Sequence, residues 1–370
     1  MPNQNGDLLS KDYYTAYFDL EGADEQEGAP EPRFSVAELM HHLIDQSETV
    51  TGLDLFVLSD LSRQNMELVR RDWLLIPVTA RRRLVRSLIE FAMEDVEWHL
   101  GRLLRIALED PDAEVRQSAI KGLWEDTGSD LVGPLVQILH NDRDNQVRAA
   151  AANTLGGFVL AGELDEIDTA LAMRAEEALL AVLHNPSEVV TVQASALESI
   201  AYSGETGVRQ LIEDGYYSPD EELRVGALVA MGRSADIRWR GLVRAELQNP
   251  SPLMRAEAAR ACGELEARKA EREILQLLLD DVQDVQLAAI FALGRLGGND
   301  ARRALRALAE GEDEVLAEAA DVALEEMLFF GDREGVSLHE DDDNDLDAGD
   351  YDPWESADDF DEDDLGSYDE

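Results

Sequence analysis

Apolar residues recur at a spacing of 31 residues through the second half of the chain. A column of large apolar residues is followed four positions later by alanines, and after four more positions by another large apolar column. Positions four apart share one face of a helix, so the pattern predicts one closely packed inner helix in each unit. The three columns are Val192, Leu223, Met254, Val285 and Leu316; Ala196, Ala227, Ala258, Ala289 and Ala320; and Ile200, Met231, Cys262, Leu293 and Leu324.

A second, outer helix repeats with the same period. Pro219 and Pro250 separate it from the following inner helix, as expected where one helix stops and the next begins. Two helices that return at a fixed period predict stacked helical hairpins, that is, an α-solenoid. The apolar column of the outer helix is Ile212, Val243, Ile274 and Leu305.

The same register begins earlier in the chain, at Val115 and Val147. The next anchor, Val192, comes 45 residues after Val147 instead of 31. The surplus falls within 157–173, where we expect a lengthened loop or helix between two units.

A short motif accompanies the period: Val-Arg after the turn and Leu-Gly near the end of the inner helix, as in Val147-Arg148 and Leu155-Gly156. With these residues the units resemble HEAT repeats, specifically the short kind named after phycobilisome lyases. The resemblance covers about residues 105–330. It implies an all-α fold, an α-solenoid of HEAT-like helical hairpins with about seven repeats of 31–32 residues.

The resemblance also implies a ladder in which the arginine after each anchor bonds to a turn aspartate of its own or the adjacent unit. Gln193 and Gln286 stand where the pattern has arginine. The ladder arginines are Arg116, Arg148, Arg224 and Arg255, and the candidate partners are Asp110, Asp142, Asp220 and Asp281.

The flanking segments differ from the repeat. We expect four parts: a disordered acidic segment over 1–35, a diverged helical cap over 36–107, the solenoid over 108–331 and a disordered acidic tail over 332–370. The cap is expected to contain helices over Val36–Gln46, Leu53–Trp73, Thr79–Met93 and Val96–Leu108.

The composition of the chain is strongly acidic. The formal net charge is −48, and residues 332–370 hold 19 acidic residues and one basic residue. Such a surface repels phosphates, so we expect no nucleic-acid partner. Neither a secretion signal nor a long apolar run is visible, so we expect a cytoplasmic protein without a membrane partner. The basic residues are almost all arginine, which we interpret as the codon usage of a GC-rich bacterium, with an acidic halophile surface as the alternative.

Candidate chemistry is sparse. Some HEAT proteins, the deoxyhypusine hydroxylases, bind iron through paired His-Glu dipeptides, and only His339-Glu340 forms one here. The chain lacks a Gly-rich phosphate loop, a nucleophile elbow and a Cys-x-x-Cys pair. We therefore expect no catalytic residue, no metal and no cofactor. The related phycobilin lyase subunits leave one alternative, a lyase-like or chaperone-like subunit that handles a tetrapyrrole cofactor on a client protein.

The concave side of the solenoid is expected to carry the residue six positions after each anchor. Aromatic and arginine side chains are enriched where proteins bind one another, although packing between units is the alternative for each tryptophan. The expected column is Lys121, Asn153, Glu198, Val229, Arg260, Phe291 and Val322. The candidate partner-binding residues are Trp124, Trp239, Arg260 and Phe291.

Two further features stand outside the repeat. The first is a basic patch in the cap, for which a solvated helix face is the alternative. The second is a set of aromatic residues in the acidic tail, which either docks on that patch or only increases solubility. The patch is Arg70, Arg71, Arg82, Arg83 and Arg86, with Arg81 between them, and the tail aromatics are Tyr351, Trp354, Phe360 and Tyr368.

These observations favour a non-enzymatic protein–protein interaction scaffold or adaptor. Its partner is expected to be a protein, possibly a basic one, bound on the concave face. The acidic tail is expected to modulate access, including through an intramolecular contact.

Overall fold

The computed structural model describes residues 9–10, 32–46, 50–94 and 97–331. The chain forms two compact units, residues 1–234 and 235–370, and each is described by itself. The tail over 332–370 lies outside the described residues, as does nearly all of the predicted segment 1–35. The four-part division of the chain therefore stays a prediction.

The first unit consists almost entirely of helices. Two-residue strands, β1 (Leu9–Ser10) and β2 (Val50–Thr51), pair in parallel. Single 3₁₀ turns lie at Phe56–Leu58 and Trp73–Leu75. The α-helices are α1 (Val36–Asp45), α2 (Gly52–Leu55), α3 (Arg63–Asp72), α4 (Val78–Glu94), α5 (Gly101–Ala107), α6 (Ala113–Lys121), α7 (Val132–Asn141), α8 (Asn145–Glu163), α9 (Thr169–Leu183), α10 (Val190–Ile200), α11 (Thr206–Tyr216) and α12 (Glu221–Arg233).

The second unit continues with outer and inner helices in alternation. Its 3₁₀ turns are Ile237–Trp239, Glu246–Gln248 and Arg268–Ala270. Its α-helices are α13 (Arg240–Ala245), α14 (Pro252–Glu264), α15 (Glu271–Leu277), α16 (Gln283–Leu296), α17 (Asn299–Ala309) and α18 (Glu314–Gly331).

Each inner helix packs against the inner helix of the next hairpin. In the first unit the series is α4, α6, α8, α10 and α12, and in the second it is α14, α16 and α18. The predicted all-α solenoid of helical hairpins is thereby confirmed. Helix α4, which packs against α6, adds one inner helix before the register that the sequence revealed.

The alanine column lies in the core of the hairpins: a Cβ built on Gly215 of outer helix α11 would lie 3.4 Å from Cβ of Ala227 on inner helix α12. Every alanine in it is fully buried, which confirms the predicted register. The column is Ala119, Ala151, Ala196, Ala227, Ala258, Ala289 and Ala320, each at 0% exposure. The outer-helix column of Ile212, Val243, Ile274 and Leu305 is also buried.

The glycine of the Leu-Gly motif lies at the contact between neighbouring inner helices. A Cβ atom built on Gly263 would lie 2.8 Å from Cα of Ala292, on the neighbouring inner helix. One built on Gly294 would lie 3.1 Å from Cα of Ala323. Because the obstacle is backbone, no side-chain rotation can make room. The motif therefore marks close helix approach.

The cap departs from the sequence prediction in two places. The continuous helix predicted over Leu53–Trp73 is wrong, because α2 and α3 are separated by a turn in which Asp60 has a φ of 42°. Ser62 then caps α3 by accepting the N–H of Asn65. The last predicted cap helix, from Val96, begins at Gly101 instead.

The predicted lengthening between units is a longer helix. Helix α8 spans 19 residues, whereas the inner helices on either side, α6 and α10, span 9 and 11. The following outer helix, α9, is also long, at 15 residues. The extra residues within 157–173 thus extend an existing hairpin.

Replacing Ala289 with Asp tests the alanine column. The change places a charge without a partner in a closely packed contact, so we expect a loss of several kcal/mol of unfolding free energy, measured by urea denaturation. Val322→Asp is the control, because Val322 lies exposed on an inner helix of the same unit. Equal unfolding curves for the two variants would contradict the assigned register.

Replacing Gly263 with Ala tests the close approach. Alanine favours a helix over glycine by up to ~1 kcal/mol, so a stabilising change is the ordinary expectation. At Gly263 we expect a net loss of ~1–2 kcal/mol, because the neighbouring backbone must move. Gly241→Ala, where a Cβ meets nothing within 4 Å, should be neutral or stabilising. The same sign of change at both sites would contradict the constraint.

Candidate protein-binding surface

The turns between helices are joined by an arginine ladder. Arg116 donates from Nη1 to the main-chain oxygen of Asp110 in its own turn, at 2.8 Å. Its Nε and Nη2 donate to both carboxylate oxygens of Asp142 in the next turn, at 2.8 and 2.7 Å. Asp142 also accepts the N–H of Asp144 at 2.9 Å. One side chain thus fixes its own turn and the spacing to the next.

The second unit repeats this arrangement with a different aspartate from the one expected. Arg255 donates to the main-chain oxygen of Asn249 and, from Nε and Nη2, to Asp280 at 2.8 and 2.9 Å. The predicted partner, Asp281, is exposed. Asp280 takes the place of Asp281 as the partner of Arg255 because it also accepts the N–H of Val282 and so forms the turn itself.

Other ladder positions vary. Arg148 pairs with Glu188 at 2.7 Å, since the next turn lies farther along the chain. Arg224 donates to the main-chain oxygens of Ser218 and Pro219. Gln286, expected to depart from the pattern, keeps the main-chain half of it by donating to the oxygen of Asp280 at 2.9 Å. The ladder arginines therefore serve the fold.

The ladder extends into the cap through Arg81. This side chain is 7% exposed and donates to the main-chain oxygen of Ile76 and to both carboxylate oxygens of Asp110. Trp73 also donates from Nε1 to Asp110, at 2.7 Å. Arg81 therefore repeats the role of Arg116 one hairpin earlier and does not belong to a basic surface.

Most of the predicted basic patch is likewise engaged in ion pairs. Arg82 pairs with Asp112 and Glu114, and Arg86 pairs with Glu114. The Arg82 hydrogen bonds, which outweigh burial, hold the pKa of Asp112 below its usual range. Arg71 pairs with Asp72, and Arg83 is half-buried. The expectation of an open cationic surface is corrected: Asp72 lies beside Arg71 in the chain, and the carboxylates that pair with Arg82 and Arg86 lie about 30 residues away.

Arg70 is exposed and borders a cleft that the sequence did not predict. The cleft has a volume of about 590 Å³, and its arginines are matched by aspartates. Arg105 donates to Asp126 and Asp130, and these hydrogen bonds raise the pKa of its guanidinium further. The cleft is therefore a neutralised ion-pair network. Its lining is Asp60, Met66, Arg70, His99, Gly101, Arg102, Arg105, Asp126 and Asp130.

The face of the inner helices opposite the alanines is open. Two positions along a helix turn the side chain by about 200°, so the residue after next lies on the other side. None of the residues in the expected column is buried: Lys121, Asn153 and Val322 are exposed, and Glu198, Val229, Arg260 and Phe291 are half-buried. Both predicted partner-binding residues in this column are thus accessible.

The contacts of these two residues differ. Arg260 forms an ion pair with Glu257, one turn earlier on the same helix. Phe291 lies against Gly263, since its Cε1 atom would be 3.4 Å from a Cβ built there. The half-buried ring of Phe291 therefore covers the glycine at the helix contact and leaves its other side open.

The two tryptophans have opposite surroundings. Trp124 follows α6 directly and is 64% exposed. Trp239 is 7% exposed and belongs to the core, so the packing alternative holds for it and its prediction as a partner-binding residue is corrected. The tail aromatics, Tyr351, Trp354, Phe360 and Tyr368, lie outside the described residues.

The described residues offer little for catalysis. Over 32–46, 50–94 and 97–331, no group of His, Cys, Asp and Glu side chains could hold a metal ion. Cys262 is buried, and desolvation raises the pKa of its thiol to about 12, which disfavours the nucleophilic thiolate. In the same part of the chain, no helix is long and apolar enough to cross a membrane.

The HEAT repeats family matches residues 100–177 and 242–325. One matched stretch lies in each compact unit. The match covers the helices α5 to α9 and α13 to α17 in large part. The narrower type named after phycobilisome lyases and the bacterial origin stay predictions.

Solved structures give weak likenesses. An engineered protein is 22% identical, with a TM-score of 0.35 over 54% of this chain and 96% of that one. Human deoxyhypusine hydroxylase in complex with glycerol is 18% identical, with a TM-score of 0.34 over 72% and 96%. Importin beta in an ammonium sulfate condition is 15% identical, with a TM-score of 0.41 over 79% and 46%. These values support no conclusion about function, and no curated protein matches the sequence.

Replacing Asp280 with Asn tests the ladder. The Arg255 hydrogen bonds, which outweigh burial, hold the pKa of Asp280 below its usual range. Asn keeps an acceptor for the N–H of Val282 but removes the charge that Arg255 binds. We expect a loss of ~1–3 kcal/mol of unfolding free energy near neutral pH.

The pH dependence of that loss has a definite sign. A carboxylate whose folded pKa is lowered stabilises the protein above its unfolded pKa, near ~3.9, and loses this contribution as the pH falls through the folded pKa. The difference between wild type and Asp280→Asn should therefore shrink in acid, measured by urea unfolding. Asp281→Asn is the control. An equal loss for Asp281→Asn, or a loss that does not change with pH, would contradict the pairing.

Proposed function

We propose that this protein is a non-enzymatic scaffold or adaptor that binds a protein partner along the open, concave face of its inner helices. One observation carries the proposal: the inner helices bury their alanine column completely, whereas no residue of the column on the opposite face is buried. In the second unit that open face presents residues of mixed character, among them Arg260, Phe291 and Val322. A surface of this kind can bind another protein through several adjacent units at once.

The ladder supports the same proposal. Arginines that would suit a catalytic or anion-binding site, such as Arg116 and Arg255, have their hydrogen-bonding capacity directed to turns. The only thiol, that of Cys262, is buried. The described residues are thus used for packing or for spacing, and the open face remains for recognition.

The lyase-like or chaperone-like alternative, in which the protein handles a tetrapyrrole cofactor on a client, has no described residue in its favour. It differs from the scaffold proposal in what would copurify. A bound tetrapyrrole absorbs visible light, whereas a protein partner does not require any chromophore.

The acidic tail is proposed to modulate access to the open face. The basic patch is no longer a suitable docking site for it, because Arg82 and Arg86 already pair with carboxylates of the body. The tail would instead act through its charge, by attracting basic partners and repelling acidic ones.

Affinity purification of the tagged full chain from its native host, after cross-linking, tests the scaffold proposal. We expect a protein partner in near-equal amount and no visible absorbance. The variant Arg260→Ala/Phe291→Leu should recover about tenfold less partner, because both changes lie on the open face. Gln276→Ala/Leu279→Ala, two exposed positions in or just after outer helix α15, is the control and should recover the wild-type amount.

The same purification separates the remaining possibilities. A chain ending at residue 331 should recover the same partner in a changed amount if the tail modulates access. Visible tetrapyrrole absorbance, turnover of a small molecule by the pure protein, or the absence of any stoichiometric partner would contradict the scaffold proposal.

A further inference from the structure

The lengthened helix α8 places two leucines in water. Leu160 and Leu164 follow Asn153 and Gly157 at helical spacing, so all four lie on the open face. Leu160 is 37% exposed, and Leu164, which caps the helix, is 58% exposed. A helix as short as α6 or α10 would end before reaching either position.

Trp124 extends this apolar surface onto the preceding unit. Helix α6 packs against α8. The main-chain oxygen of Trp124 lies 3.5 Å from where a Cβ of Gly157 would be, so Trp124 borders the open face of α8. Its side chain is largely exposed, as are the two leucines. All three residues belong to the first compact unit, and we call them the apolar strip.

Carboxylates surround the apolar strip. Glu125 follows Trp124, and Asp165 and Glu166 follow Leu164, all three exposed. Within the described part of the chain, none of these three carboxylates forms an ion pair. Lys121 is the cation on the open face of α6. With three carboxylates and one lysine, the rim of the apolar strip carries a net negative charge.

We propose that the apolar strip binds an amphipathic, basic helical segment of a partner protein. The inference rests on the proposed scaffold function and names its class of partner. A helix with apolar residues on one face would cover Trp124 and the two leucines, which is a known mode of peptide recognition. Lysines and arginines beside that face would meet the carboxylate rim, which adds specificity and speeds association.

Charge disfavours the other occupants. The chain's own segment 332–370 holds 19 acidic residues and one basic residue, and a second copy of the chain carries a net charge of −48. Both would bring further negative charge to a negative rim. A basic segment is therefore the occupant that the surface fits.

The probe is a fluorescein-labelled synthetic peptide of leucine and lysine, about 18 residues or five helical turns long, with leucines on one face. Binding to the full chain is measured by fluorescence anisotropy in about 0.3 M salt, where charges on the tail are largely screened. We expect Trp124→Ala/Leu164→Ala to weaken binding by about tenfold. Leu279→Ala, an 86% exposed leucine of the other compact unit, is the matched control and should bind as wild type.

The charge variant Asp165→Asn/Glu166→Gln tests the rim. Asn tolerates the left-handed conformation of Asp165, whose φ is 58°. At low salt we expect about threefold weaker peptide binding than wild type, and a smaller difference at high salt. A loss that is independent of salt would overturn the role of the rim.

Several results would overturn the proposal. Equal binding of the wild type and Trp124→Ala/Leu164→Ala would reject the apolar strip, and equal binding of a scrambled peptide would reject the amphipathic partner. A labelled peptide of residues 332–370 that binds the wild type but not the double variant would make the tail the occupant. Dimerisation of the wild type alone, seen in sedimentation, would make a second copy the occupant.

These outcomes are distinct from those of the scaffold test. If the wild-type chain recovers a stoichiometric partner and the double variant recovers it equally well, the apolar strip is wrong and the scaffold proposal stands. If no partner is recovered at all, the scaffold proposal fails, whatever the peptide does.

Discussion

The close approach of neighbouring inner helices is the constraint on which the rest of the structure depends. It requires glycine at Gly263 and Gly294, where a side chain would meet the backbone of the next inner helix. The facing residues, Ala292 and Ala323, are small and buried, so the backbones of neighbouring inner helices can come this close. The helices can then stack in series, and the repeat is the consequence of that packing.

The arginine ladder is the polar counterpart of this packing. Apolar contacts between helices carry little directional information, whereas a guanidinium that binds a main-chain oxygen and a carboxylate at once has one acceptable geometry. Arg116 and Arg255 each bind a main-chain oxygen and a carboxylate in this way. Both arginines therefore satisfy turn carbonyls that would otherwise lie unpaired at helix ends. The glycines at the inner-helix contacts, such as Gly263 and Gly294, determine how near two hairpins come, and the ladder determines how their turns align.

What could be predicted from the sequence follows from this division. The inner and outer helices were predictable because close packing requires an apolar or small residue at each turn of the helix. The fixed period makes these residues visible as columns in the sequence. The partners of the ladder arginines were harder to predict. Asp280 and Asp281 are adjacent and chemically identical, and only the turn geometry decides which of them binds Arg255. The prediction of an open basic patch was wrong for another reason: Arg82 is neutralised by Asp112, which lies 30 residues away in the chain. The prediction of Trp239 as a partner-binding residue was wrong because the residue type alone does not distinguish a core tryptophan from an exposed one.

The lengthened helix α8 shows why function is best sought where the period breaks. Every residue that the repeat specifies already has a structural task, whether burial or turn spacing, and a side chain with two tasks is difficult to adapt to a partner. The extra turns of α8 bury Phe158, Val159 and Ala161 on one side, but on the open face they leave Leu160 and Leu164 in contact with water. Leu160 and Leu164 expose apolar surface to water, which costs free energy that a buried leucine at a packed repeat position does not cost. An exposed apolar surface that packing does not require, with charges that no internal partner neutralises, is explained most directly by a partner that covers both.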